Sequence, residues 1–192
     1  MLGSHNSFSY LPVKHWWMAI LKPWYKCQNK NIYEQYNSGV RYFDVRVRYI
    51  NDKWCLVHNK IVFNASINDT LLSFIFSNKC SDSDIRYIRI ILDERKCPEN
   101  SQYLIDKFTE FIKKLYSMMV YWNINIHIDP IIYWQWKNPF KGEAITPIIE
   151  DHSSVKTKWY QYILGTKWYA NKIKHKYNEY KKSDNIYLVD YV

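Results

Sequence analysis

Strand interiors are ordinarily apolar, so an ionisable side chain at strand spacing raises a chemical question. This chain raises it repeatedly: at His5 and Asn6 in "GSHNS", at Asp44 and Arg46 in "YFDVRV", at His58 closing "WCLVH", at Asp93 and Glu94 after "IRIIL", and at Asp190 in "YLVDYV". Imidazole exchanges protons near neutral pH because its unperturbed pKa is about 6.5. Guanidinium offers a planar fork to phosphate oxygens. Two histidines, an arginine and carboxylates are therefore a set suited to proton transfer around an anionic group. Asp44 and Arg46 are two apart, so on a strand both side chains leave the same face. Each position also has a structural reading. "GSH" has the form of a cloning remnant or a loose terminus. Asp44 and Arg46 could be a plain ion pair, with Arg48 continuing an exposed alternation. His58 could simply end a strand, and Asp93 and Glu94 could open a loop.

The elements that must position these groups follow from spacing. "SGVRYFDVRVRYI" (38–50) reads as a strand after a Gly turn, and "WCLVH" (54–58) as a second strand beyond an "NDK" turn. Residues 66–77 carry a polar cap and helical spacing, and 85–92 read as a third strand. Over 99–119, Leu104, Ile105, Phe108, Phe111, Ile112 and Leu115 share one apolar face, which predicts a helix. Residues 122–128 alternate as a strand. The segment around 130–155 carries three prolines and reads as irregular. Residues 166–182 predict a strongly basic helix, and "NIYLVDYV" a closing strand. Strands alternating with helices predict an α/β fold with a mostly parallel sheet. The expectation is one domain over 1–192, without repeats or linkers.

The 192 residues are 47% hydrophobic and 23% charged, enough for a packed core and contrary to disorder. The aromatic excess, with 9 Trp and 18 Tyr beside many Asn, Ile and Lys, has the look of coding bias in an AT-rich genome. A net charge of +9 draws the chain to polyanions: nucleic acid, anionic lipid or phosphorylated substrates. No signal peptide opens the chain and "HWWMAIL" is too short to span a membrane, so a cytoplasmic protein is expected. Cys27, Cys55, Cys80 and Cys97 form no C-x-x-C pair and read as reduced packing residues.

In order and spacing, the polar positions resemble the X region of the phosphatidylinositol-specific phospholipases C. That family opens with Gly/Ser-Ser/Thr-His-Asp/Asn-Ser/Thr, here "GSHNS". A segment of the form Q-x-x-x-G-x-R-x-x-D-x-R follows, here "QYNSGVRYFDVR" (35–46), and then a strand ending in His, here "WCLVH". "VDYV" resembles the last barrel strand of bacterial members. The resemblance makes His5 native and implies a (β/α)8 TIM-like barrel, compact or trimmed, with a stunted first strand. A full barrel usually needs about 250 residues.

The resemblance also implies a reaction: cleavage of a phosphodiester, with a neighbouring head-group hydroxyl as nucleophile. By this likeness His5 is the base and His58 the acid. Asp190 supports His5, Arg46 binds phosphate, Asp44 orients Arg46, and Asn6 and Asp93 face the substrate. Calcium-using members hold the ion with an Asn after the first His and acids on the second and fourth strands. Asn6, Asp44 and Asp93 fill three of those places, but Arg46 takes the remaining one, as in metal-free bacterial members. Metal-free catalysis is the expectation, with calcium left open by Asn6 and Asp93. Asp93 stands where inositol-recognising members carry Lys, which puts the head group in question. In bacterial relatives a Trp-bearing helix touches membrane, and here Trp16, Trp17 and Trp24 lie among Lys14, Lys22 and Lys26. The alternative for these tryptophans is packing in the core. The expected partner is a phospholipid at a membrane surface. Two other readings stay open: a binding module for phosphorylated lipid or nucleic acid without turnover, and the same chemistry on a non-lipid phosphodiester.

Overall fold

A computed structural model describes residues 1–77, 85–94, 101–122, 124, 126–134, 148–151, 176–182, 186–189 and 192. Eight strands make one sheet: β1 (Leu2–Ser4), β2 (Tyr42–Ile50), β3 (Lys53–His58), β4 (Ile61–Ser66), β5 (Arg86–Glu94), β6 (Ile126–Trp134), β7 (Ile148–Asp151) and β8 (Ile186–Val189). Six of them run parallel in the order β6-β5-β2-β1-β8-β7. The β3–β4 hairpin continues the β1 edge of β2 in antiparallel pairing. The α/β reading holds, with a mixed sheet whose β6 and β7 edges remain unjoined among the described residues.

β1 is as short as the resemblance implied, at three residues. It is squeezed between β2 and β8, with Gly3 opposite both Tyr42 and Leu188. A Cβ on Gly3 would meet Leu188 Cδ2 at 2.7 Å and the Tyr187 carbonyl at 3.2 Å, so only glycine admits this approach. The turn after β2 places Asn51 and Asp52 at φ 48° and 59°, the pair of left-handed residues that a tight hairpin requires.

Parallel registry gives β2, β5 and β6 two distinct faces. Phe43, Ile88 and Ile128 are in register on one, as are Val45 and Ile90, all buried. The helix Ser101–Tyr121 buries Leu104, Phe108, Ile112, Leu115 and Met119 along its apolar stripe and joins this core. The other face is polar: Tyr42, Tyr87 and His127 stack in one layer, and Asp44, Arg89 and Asp129 register in the next. Polar side chains on the inward face of so apolar a sheet are what a site requires.

Several expectations need correction. The segment from 130 is not irregular at its start, since β6 continues through Pro130 to Trp134 and 148–151 form a strand. Pro130 lacks an N–H to give, a gap that a single ladder position tolerates. β6 starts at Ile126 rather than 122, because the long helix runs on to Tyr121. The expected helix over 66–77 is reduced to a π-helical turn, Asn68–Leu72, and one α-turn, Ser73–Ile75. Of the basic helix over 166–182, only Tyr177–Lys182 lies within the described residues as a helix.

Candidate active site

His5 leaves the carboxyl end of β1, where its N–H donates to the Val189 carbonyl of β8 at 3.0 Å. Asn6 then turns the chain sharply with φ 43°, a left-handed conformation that Asn tolerates better than most residues. Its backbone N–H donates to Asp44 Oδ2 at 3.1 Å. These local constraints set the His5 ring, only 7% exposed, against β2. Arg46 Nη2 lies 3.0 Å from His5 Nε2, and Arg46 Nε lies 3.5 Å from Asp44 Oδ2. Asp44 Oδ2 is 3.9 Å from His5 Nε2. On its far side, Arg46 Nη1 reaches Asp93 Oδ2 at 3.7 Å.

His58 closes β3 opposite this cluster. The two imidazoles stand edge to face with ring centres 5.9 Å apart. His58 Nδ1 is 2.7 Å from the Tyr25 carbonyl and 4.0 Å from Cys27 Sγ. The sequence-derived set thus converges at one place: His5, Asn6, Asp44, Arg46, His58 and Asp93 come together from β1, β2, β3 and β5. Asp190 lies outside the described residues. Glu94 instead pairs with Arg48 at 3.4 Å, and Arg48 also donates to the Asp93 carbonyl, so this pair braces the end of β5.

The electrostatics are uneven. Burial alone would raise the Asp44 carboxyl, yet Arg46, Arg89 and His5 together hold it down at about 2. Asp44 is therefore a fixed anion. His58 moves the other way: burial, then the charges of Arg46 and His5, push it down to about 3. The residue keeps some exposed surface, but loss of solvent around the ring is still the largest cause of the shift.

Sequence reasoning missed some of the support. Arg89 registers beside Asp44 on β5, one strand over and on the same face; the polar alternation of "RYIRIILD" was its signal. Gln28 is fully buried, and its amide donates to the carbonyls of both His5 and Val189. Gln35, the first residue of the Q-x-x-x-G motif, accepts from Ser4 Oγ and donates to the Ser7 carbonyl. Its helix, Ile32–Asn37, is set by a capping box between Asn31 and Glu34 that the sequence "NIYE" spells out.

Among the described residues five buried side-chain atoms lack a hydrogen-bond partner. Two are Arg86 Nε and Arg89 Nε, and three belong to this cluster's Asn6 (Nδ2), Asp44 (Oδ1) and Asp93 (Oδ2). Those three are the side chains that calcium-using relatives would spend on the ion. The Arg46 guanidinium stands between the two carboxylates, and its charge opposes a cation there. This donor set does not fit calcium while Arg46 holds that position.

Trp16, Trp17 and Trp24 are on the surface. Trp16 and Trp17 open a 3-10 turn, Trp16–Leu21, that buries none of its residues. Trp16 is 86% exposed, Trp17 53%, Ile20 78% and Trp24 50%, which overturns core packing for these rings. No helix among the described residues is long and apolar enough to cross a membrane.

No family model matches the chain. A stretch of 40 residues, 21% of the chain, is 48% identical to a PI-PLC X-box domain-containing protein of Dictyostelium discoideum, of which it covers 5%. Over 114 residues, 58% of the chain, it is 26% identical to a 1-phosphatidylinositol phosphodiesterase of Listeria monocytogenes, of which it covers 33%. The chain thus spans a third or less of the curated relatives it matches. Its fold is similar to that of a solved phosphatidylinositol-specific phospholipase C from Listeria monocytogenes, with a TM-score of 0.62 at 18% identity. That likeness covers 100% of this chain and 87% of the other. The chain accordingly resembles the phosphatidylinositol-specific phospholipases C, as its X-region motifs do.

Proposed function

We propose that this protein is a phosphodiesterase of the phospholipase C type, working by acid–base chemistry at a membrane surface. The observation that carries the reading is the pair of imidazoles 5.9 Å apart with the Arg46 guanidinium between His5 and Asp93. A phosphodiester seated there meets a base on one side, an acid on the other and a positive charge at its oxygens.

The roles follow. His5 Nε2 takes the proton of a head-group hydroxyl adjacent to the phosphate, and that oxygen attacks phosphorus. The phosphate offsets Arg46 and lets His58 take up a proton from solvent; the bond to the lipid alkoxide then breaks, and His58 gives that oxygen the proton. Arg46 holds the phosphoryl oxygens with its planar fork. Asp44, a fixed anion, orients Arg46 and steadies the charge on His5. Asp190 is assigned to the support of His5 on the resemblance alone. Asn6 and Asp93 line the head-group side. The electrostatic work is done by Arg46 and not by calcium, because its charge already fills the space between Asp44 and Asp93.

The substrate we favour is a phospholipid such as phosphatidylinositol, and the fold a trimmed (β/α)8 barrel. Exposed Trp16 and Trp17, next to Lys14 and Lys22, supply a membrane contact of the right composition: indole for the headgroup level, ammonium for anionic lipid. This makes the protein peripheral, and the reading places it in the cytoplasm. A non-lipid phosphodiester is the second reading, favoured by Asp93, a carboxylate at a head-group position. A screen of purified protein on phosphatidylinositol vesicles, glycerophosphodiesters and nucleotides decides between them. Absence of turnover on every class leaves only a binding module.

A further inference from the structure

His58 cannot act unless one ring nitrogen faces the substrate with its proton in a defined place. The Tyr25 carbonyl can only accept, so at 2.7 Å the Nδ1 of His58 must carry hydrogen and donate. Nε2 is then the nitrogen left for the reaction, and it can act as an acid only after taking up a proton, which an anionic substrate favours by offsetting the charge of Arg46. The Nδ1–H form is the reverse of the tautomer that free histidine favours in water, so the protein must impose it by holding the Tyr25 carbonyl still.

Two buried side chains do the holding. Ser9 Oγ accepts from both Cys27 N–H and Gln28 N–H, each at 2.9 Å, which pins the stretch 25–28 just beyond the carbonyl. Gln28 is fully buried, and its amide donates to the His5 carbonyl at 3.1 Å and the Val189 carbonyl at 2.9 Å. Its Oε1 accepts from Val192 N–H at 3.1 Å. The same short stretch therefore grips His58 at one end and the backbone of His5 at the other. The side-chain hydrogen bonds of Ser9 and Gln28 run to backbone groups and not to either imidazole.

We propose that Ser9 and Gln28 are positioning residues for the acid–base pair, fixing the tautomer of His58 and its distance from His5 through the stretch 25–28. The inference rests on the reading of His5 and His58 as base and acid, but its physical core is independent of turnover. A misplacement of about 1 Å in a reacting group costs on the order of 10²-fold in rate, so this support has a kinetic consequence.

The test is nitrogen-15 NMR of the imidazoles in the wild-type chain, Ser9→Ala and Gln28→Glu, beside turnover of a soluble short-chain phosphodiester. Gln28→Glu keeps the size and the acceptor for Val192 but loses both donors. In the wild type, His58 should be a single Nδ1–H tautomer at pH 7. Each variant should show an Nε2–H population, with kcat down by about 10- to 10²-fold and KM within about twofold. Wild-type His58 carrying its proton on Nε2 overturns the proposal even if neither variant folds. So does a variant that loses kcat with the tautomer unchanged, since the effect would not pass through His58. An inactive wild type whose variants still change tautomer sinks the enzymatic reading and supports the positioning.

Discussion

Arg46 Nη2 donates to His5 Nε2 across 3.0 Å, which engages the very lone pair that would take a proton from substrate. An imidazole cannot be capped by a guanidinium and act as a base at once. In the reaction proposed above, phosphate would resolve this: its oxygens would draw Arg46 off the ring and release the base where the substrate has arrived. On that proposal the same side chain binds the anion and guards the base.

It follows that replacing Arg46 harms the reaction in two ways. Arg46→Lys retains charge but not the planar fork, so kcat/KM should fall by about 10²–10³, the usual cost of one transition-state donor. Activity of the wild type should survive a calcium chelator. Activity that vanishes with chelator and returns only with calcium would transfer the electrostatic role to a metal at Asn6, Asp44 and Asp93.

His5→Ala and His58→Ala should each lower turnover by about 10²–10⁴ while leaving the chain folded, as loss of a positioned acid or base does. Circular dichroism beside the assay separates chemistry from folding. Wild-type-like turnover from either variant removes the two-histidine reaction.

The depressed His58 has a consequence for stability. Its folded pKa of about 3 lies below the unfolded value near 6.5, so between those values the unfolded chain binds a proton that the native one refuses. Stability therefore falls as pH drops from about 6.5. Asp44 adds a similar loss only below about 4, because its carboxyl is held at about 2. Urea unfolding at pH 6.5 and 4.5 isolates the histidine. The contribution is bounded by about 1.4 kcal/mol per pH unit for one proton, and is smaller for a half-buried ring. His58→Asn should flatten the slope in that window. An equal slope in both proteins would mean that His58 protonates normally. A bound phosphate mimic should raise the His58 pKa, since it offsets Arg46.

How much of this was legible depended on the kind of signal. His5, Asp44, Arg46 and His58 were readable because charge inside strands is uncommon and their order is distinctive. The helix over Ser101–Tyr121 was readable because its apolar stripe repeats over many turns. β4 went unread: "IVFNAS" ends in small and polar residues that look like a loop, and it is a strand because Ile61 and Phe63 are buried and the neighbouring stretch at Val13 pairs with Phe63. Gln28 and Ser9 were unreadable for a different reason. Their partners lie across the fold, up to 164 positions away at Val192, and local sequence carries no trace of such bonds.

The exposed ring pair gives a sharp test of where the protein works. Trp16→Ala with Trp17→Ala should weaken binding to anionic vesicles and leave hydrolysis of a soluble substrate largely intact. Wild-type binding should weaken with salt, because exposed charges are screened over about 8 Å at physiological ionic strength. Removing exposed side chains should change stability by no more than about 0.5 kcal/mol, against 3–5 for a core Trp. Undiminished vesicle binding by the folded double variant would assign membrane contact elsewhere.

Gly3 provides the last test, because it couples packing to the site most directly. A methyl added there would come within 2.7 Å of Leu188 Cδ2. Leu188 is 1% exposed, and the second obstacle, the Tyr187 carbonyl at 3.2 Å, is backbone. The strain must therefore move β1 away from β8, and β1 has three residues with which to absorb it. Such overpacking costs about 1–3 kcal/mol. His5 follows two positions later, held by its N–H to Val189, so the shift reaches the base. Gly3→Ala should lower the unfolding midpoint and reduce kcat more than KM. A variant with lowered stability and unchanged kcat would show that the His5 backbone is held by its bonds to Val189 and Gln28, independently of the packing at Gly3.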